Sequence, residues 1–142
     1  MGSVKVNDEI AAPIDRVWAK LENFGDVSAW APGDPTVTLE GGDGRTVGVV
    51  RNVVAGGQPP IRERLAAHDA ANHTFDYAID ESPFPFQNYR ARVELRANGD
   101  RTAITWSGSF TPKDMPDEQV QALLENVYGM FIGKLKETLA KG

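Results

Sequence analysis

Arg51 and Glu63 are the charged residues of this chain best placed for chemistry. Residues 46–54 alternate, putting Val47, Val49, Arg51 and Val53 on one face of a strand. Residues 60–67 also alternate, with Ile61, Glu63, Leu65 and Ala67 on one face and Arg62 and Arg64 on the other. The segment between them, Ala55-Gly-Gly-Gln-Pro59, is a turn by composition, glycine supplying positive φ and proline fixing φ. With that loop centred on Gly57, Arg51 falls directly opposite Glu63. Both have apolar neighbours two residues either way, so both point inward with them. A buried ion pair often does no better than apolar side chains of the same size, because desolvation takes back the Coulomb gain. An inward acid and an inward cation therefore read as the polar end of a pocket.

The chemistry available there is acid–base chemistry. Glu63 with Tyr77 or Tyr89 would move protons, and Arg51 would hold an oxyanion. A desolvated carboxylate is pushed toward neutrality and an adjacent guanidinium pulls it back, so the same pair serves either as catalyst or as anchor. Other chemistries lack their residues. There are two histidines, of which His68 shares the outward parity of Arg62 and Arg64, while His73 sits beside a turn. No His-Glu-x-x-His or comparable spacing suggests a metal, and no Gly-x-Ser-x-Gly elbow suggests an acyl-enzyme. No cofactor is expected. The absence of cysteine removes disulfides and thiolate nucleophiles and fits a cytoplasmic chain.

The elements that would position these residues follow in order. A strand over 4–10 meets Pro13, which suits the start of a helix carrying Ile14, Val17, Trp18 and Leu21. Residues 24–30 suggest a second short helix, stopped by Pro32. A strand at 36–40 and the turn Gly41-Gly-Asp-Gly44 precede the central hairpin. Residues 73–80 form a strand with Phe75, Tyr77 and Ile79 on one face, and the loop Glu81-Ser-Pro-Phe-Pro-Phe86 follows. Residues 88–97 alternate cleanly, with Tyr89, Ala91, Val93 and Leu95 inward and Arg90, Arg92, Glu94 and Arg96 on a solvated face. Asn98-Gly99 signals a hairpin. The strand over 101–110 leaves its facing open between Ile104, Trp106, Phe110 and Thr105, Ser107, Ser109. A long helix over 117–140 carries the stripe Val120, Leu123, Leu124, Val127, Tyr128, Phe131, Leu135 and Leu139.

The result is an α+β fold across residues 1–142 as one domain: six or seven antiparallel strands in a curved sheet, in the order β-α-α-β-β-β-β-β-β-α, gripping a long C-terminal helix. The inner face mixes aromatic walls with few polar groups, the usual make-up of a small-molecule cavity. Trp30, Val53, Phe86, Ala91, Val127 and Phe131 join Arg51 as its expected lining. At 142 residues with 41% hydrophobic and 25% charged, the composition is ordinary for a soluble protein. No run of 18 or more apolar residues and no apolar leader is evident, so membrane insertion is not expected. A net charge of −5 argues against nucleic acid and acidic membrane surfaces, both of which call for a basic patch.

Several short motifs add a resemblance over essentially the whole chain. Ile10-Ala-Ala-Pro13 with Val17-Trp18, the run from Phe24 to Trp30-Ala-Pro32, Arg62-Glu-Arg-Leu65, Asn88-Tyr89 and Thr105-Trp-Ser-Gly108 resemble the START-like, birch-pollen-allergen-like helix-grip superfamily, also called SRPBCC, and its bacterial polyketide cyclase/dehydrase and lipid-transport group. The plant abscisic acid receptors of the same superfamily align their gate loop with 56–60 and their second pocket-closing loop with 83–86. Their pocket glutamate, arginine and tyrosine match Glu63, Arg51 and Tyr89. Their carboxylate-binding lysine matches Ala31, which removes that cation here. The resemblance implies a hydrophobic ligand, polyketide-like, aromatic or lipid, in an internal cavity, with cyclisation or dehydration by Glu63, Tyr89 and Tyr77 as its catalytic extension. The alternatives are a passive carrier or sensor, and a protein-interaction module of the co-chaperone or toxin type. The expected assembly is a monomer or weak homodimer.

Overall fold

The computed structural model describes residues 2–57 and 59–141. Seven strands form one antiparallel sheet: β1 (Gly2–Ile10), β2 (Thr36–Glu40), β3 (Val50–Val54), β4 (Ile61–Asp69), β5 (Thr74–Glu81), β6 (Phe86–Asn98) and β7 (Arg101–Pro112). Their order across the sheet is β1-β7-β6-β5-β4-β3-β2. Helix α1 (Ile14–Leu21) lies on the path from β1 at one edge to β2 at the other, and α2 (Asp117–Lys141) closes the chain. This is the α+β helix-grip arrangement expected from the alternating strands and the long terminal stripe.

Curvature is built in at defined places. The pairing of β4 with β5 shifts between Arg62 and Glu63 and again between Leu65 and Ala67, and that of β6 with β7 shifts between Gln87 and Arg90. Bulges bend a strand and re-aim its side chains. The first brings Glu63 opposite Ile79. The last contains Asn88 at φ +54°, a left-handed position that asparagine tolerates, and it turns Tyr89 into the interior.

The facing of β7 is decided by its partners. Ile104, Trp106 and Phe110 are fully buried, while Thr105 is held from outside by Arg96 and Asn7. Gly108 lies on the inner row, where a Cβ would run into the Tyr128 hydroxyl. Glycine here lets sheet and helix approach closely enough for that phenol to reach β6.

Three local expectations change. Residues 24–30 form turns instead of a second helix. Asn23 Oδ1 accepts from Gly25 N–H at 2.9 Å, and Asp26 Oδ1 accepts from Ser28 N–H at 3.0 Å and Ser28 Oγ–H at 2.6 Å. Such side-chain bonds offer the backbone an alternative to helical pairing. The strand expected over 46–54 begins only at Val50, because Gly48 adopts φ +97°; Val47 is left exposed and Val49 buried. On α2 the fully buried row is Val120, Leu124, Tyr128, Ile132, Leu135 and Leu139, so Ile132 joins the stripe and Leu123 lies partly exposed. Val127 and Phe131 sit at the margin of that row, packed against the core yet still partly accessible.

Candidate functional site

The hairpin of β3 and β4 places Arg51 directly opposite Glu63, in the register expected from a loop centred on Gly57. Gln58, at the centre of the anticipated gate loop, lies outside the described residues. Arg51 is 1% exposed. Its Nε–H donates to Glu63 Oε1 at 2.6 Å and its Nη1–H to the Phe24 carbonyl at 3.2 Å. The guanidinium carbon lies 3.8 Å from the centre of the Phe24 ring and within 5.4 Å of the Tyr77 and Trp30 rings. Those π-faces and one carboxylate compensate a cation that has left water. Nη2 is buried without a partner among the described residues, and so is Nε1 of Trp30.

Glu63 faces two adjoining chambers between the sheet and α2. The larger, of about 260 Å³, is walled by Trp30, Pro35, Val53, Ala55, Met130 and others; the smaller, of about 170 Å³, by Ile79, Phe86, Tyr89, Leu123 and Tyr128 among others. Ile61, Glu63, Tyr77, Phe84, Val127 and Phe131 line both, so the two adjoin on either side of the carboxylate. Among the described residues, no lysine, arginine or histidine lines either chamber. Phe84, Leu123 and Met130 also reach solvent, which gives the opening an apolar rim. Two larger depressions, one of about 560 Å³ that shares Ile79, Phe84, Phe86 and Tyr89 with the smaller chamber and one of about 680 Å³, are lined mostly by polar and charged side chains such as Arg64, Asp80 and Lys113, or Asp76, Arg90 and Arg92. Their volume exceeds that of the chambers, but polar walls already wetted by solvent gain little from taking up an apolar guest.

The tyrosines are structurally engaged. Trp106 Nε1–H donates to the Tyr77 hydroxyl at 3.1 Å, and the Tyr89 and Tyr128 hydroxyls hydrogen-bond each other. Burial pushes the Tyr77 phenol up to about 12, with the Glu63 charge adding to the shift and Arg51 opposing it. Burial also holds Tyr89 and Tyr128 well above the ordinary phenol value, reinforced by their crowding with Tyr77. All three are neutral hydrogen-bonding groups at physiological pH.

Of the residues expected at the site, the structure gathers Glu63, Tyr77, Tyr89, Trp30, Val53, Phe86, Val127 and Phe131 around the chambers. Arg51 reaches them only through Glu63, and Ala91 is fully buried in the sheet outside their lining. Phe24, whose ring and carbonyl hold Arg51, and Tyr128, which ties α2 to Tyr89, were read from sequence only as members of a motif and a stripe. Their polar roles carry no local signal, because each depends on a partner far along the chain. Phe84 enters the sequence reading only within the loop 83–86, and Met130 carries no signal there at all, because both are exposed and exposure by itself points nowhere.

The fold and sequence have close counterparts. A putative uncharacterized protein from Bacillus thuringiensis is 26% identical, with 96% of this chain and 97% of that one aligned at a TM-score of 0.87. The protein XoxI from Bacillus cereus is 27% identical over 96% and 94% of the two chains, also at 0.87. Norcoclaurine synthase from Thalictrum flavum, solved with dopamine and hydroxybenzaldehyde, shares the fold at a TM-score of 0.74 and 16% identity, over 98% of this chain and 86% of that one. Residues 1–140 match the family model described as polyketide cyclase / dehydrase and lipid transport. With nearly its whole length matched to that model and its sheet wrapped around α2, the chain belongs to the polyketide cyclase / dehydrase and lipid transport family.

Proposed function

We propose that the protein binds a hydrophobic small molecule in the paired chambers beneath α2, with Glu63 as its polar anchor. The observation that carries this reading is the lining: apolar and aromatic walls on all sides, one carboxylate, and an apolar rim at the opening. Sites of that composition hold ligands by burying their surface and orient them with a few placed polar groups. An apolar cavity of about 150 Å³ accepts benzene. Chambers of about 260 and 170 Å³ therefore suit a one- to two-ring compound or a short lipid segment.

Binding is better supported than turnover. Glu63 Oε1 is engaged by Arg51 at 2.6 Å, which favours a fixed acceptor over a mobile base. Phenols with raised pKa values neither give nor take protons readily near neutrality, so Tyr77 and Tyr89 are better hydrogen-bond partners than proton carriers. Cyclisation or dehydration through Glu63, Tyr77 and Tyr89 is the catalytic extension of the same site.

The test is to fill the cavity. Val127 lines both chambers and is only half-buried, so Val127→Trp adds bulk where the fold can accept it. The neutral two-ring fluorescent probe 6-propionyl-2-(dimethylamino)naphthalene should bind the wild type and lose about tenfold or more in affinity on this substitution, with the circular dichroism spectrum retained. Equal binding to a folded variant would place the probe elsewhere and overturn the reading.

A further inference from the structure

We infer that the chambers select a neutral, hydroxyl-bearing ring compound over the carboxylic acid of the same skeleton, and that the Arg51–Glu63 pair with the Trp30 indole N–H makes the distinction. This rests on the cavity-binding reading above and names the ligand class for that site. Glu63 Oε1 is taken by Arg51, and Glu63 makes no second hydrogen bond among the described residues, so its other oxygen is an open acceptor. Arg51 Nη2 shares the guanidinium edge with the Nε–H that Glu63 uses, and it is a buried donor without a partner among the described residues. Trp30, a wall of the larger chamber, brings a second buried and unpartnered donor in Nε1.

A buried donor left open is costly, so a guest that satisfies it gains what an apolar guest cannot. One hydroxyl both donates and accepts, and it meets Glu63 with its proton and the Trp30 wall of the larger chamber with its lone pairs, while Arg51 acts only through the charge it holds on Glu63. A carboxylate only accepts. It would bring a second negative charge beside Glu63, whose guanidinium partner is already neutralised, and no cation among the described residues lines the chambers to offset it. The acid is therefore disfavoured by the same pair that welcomes the alcohol or phenol.

Three probes of one skeleton test this: naphthalene, 2-naphthol and 2-naphthoate, each titrated into the full-length protein at pH 7 by calorimetry or by ligand-observed NMR. The expected order has 2-naphthol about tenfold tighter than naphthalene, with 2-naphthoate the weakest. Trp30→Phe should narrow the naphthol-to-naphthalene ratio by several-fold. Glu63→Gln, which frees the Arg51 charge, should raise naphthoate affinity above that of naphthol. If that variant does not fold, the wild-type order and Trp30→Phe decide the matter alone. Equal affinities for all three probes, or tighter naphthoate, would overturn the selectivity while leaving the cavity reading intact. Failure of every probe to bind would overturn both.

Discussion

The hydroxyl of Tyr89 on β6 meets the hydroxyl of Tyr128 on α2, and this contact fastens the terminal helix to the middle of the sheet. Neither phenol has water to fall back on, since both residues are almost completely buried. The carbon opposite them is Gly108, whose missing side chain leaves the space that Tyr128 uses.

Removing one of these hydroxyls orphans the other. Tyr89→Phe and Tyr128→Phe should each destabilise the protein by about 1–3 kcal/mol, and the double variant by clearly less than their sum, as read from urea unfolding in a double-mutant cycle. Strict additivity would mean that the two hydroxyls do not interact.

The Arg51–Glu63 pair should behave in the same coupled way, with larger amplitude. Arg51→Met leaves a carboxylate facing an apolar cavity without its cation, and breaking a buried pair from one side costs about 3–5 kcal/mol. Arg51→Met combined with Glu63→Leu should recover most of that loss while abolishing the polar anchor. Thermal unfolding of the three variants checks this; a double variant as unstable as Arg51→Met would show that the pair is needed for more than mutual compensation.

All three tyrosines of the chain lie at this interface, so alkaline titration reports on it directly. Their folded pKa values lie above the unfolded value of 10.0, Tyr77 at about 12. The folded state thus holds phenolic protons more tightly, and the stability this contributes is complete below pH 10 and lost as pH rises toward the folded values. Phenolate absorbance should stay low through pH 10 and then rise together with loss of circular dichroism. Normal titration at pH 10 in the folded protein would contradict the buried arrangement.

On the outer face of the sheet, Asp76 supplies a test with the opposite sign. Burial raises its pKa, yet hydrogen bonds from Arg92 at 2.8 Å and Arg90 at 2.9 Å outweigh that and hold it below the ordinary value of 3.8. A lowered folded pKa contributes stability that is present above the unfolded pKa and lost as pH falls through the folded one. Asp76→Asn should therefore be less stable than the wild type near neutrality, with the gap closing below about pH 4. A gap independent of pH would assign the loss to packing instead of charge.

Much of the architecture was legible in the chain because its signals are local. Period-two alternation fixed which side of β4, β5 and β6 faces inward, and a turn centred on Gly57 was enough to set Arg51 against Glu63. Local signals also misled where two of them compete: residues 24–30 have helical spacing, but Asn23 and Asp26 capture the backbone first, and Gly48 breaks an alternation that the valines around it continue. The facing of β7 was undecidable from its own residues, since either row offers enough apolar area, and only pairing with β1 and packing on α2 chose Trp106 over Thr105. What tertiary structure alone decided is where hydrogen-bonding capacity is used up and where it is left open. Tyr89 and Tyr128 stand 39 residues apart in the chain, and Arg51 finds the Phe24 carbonyl across 27. A hydrogen bond is satisfied by whatever folding brings within about 3 Å, and no spacing in the sequence encodes that proximity. Sequence by itself determined that an acid and a cation face inward; the fold determined that the cation is spent on that acid and on the Phe24 carbonyl, and that of the two only the acid lines the cavity.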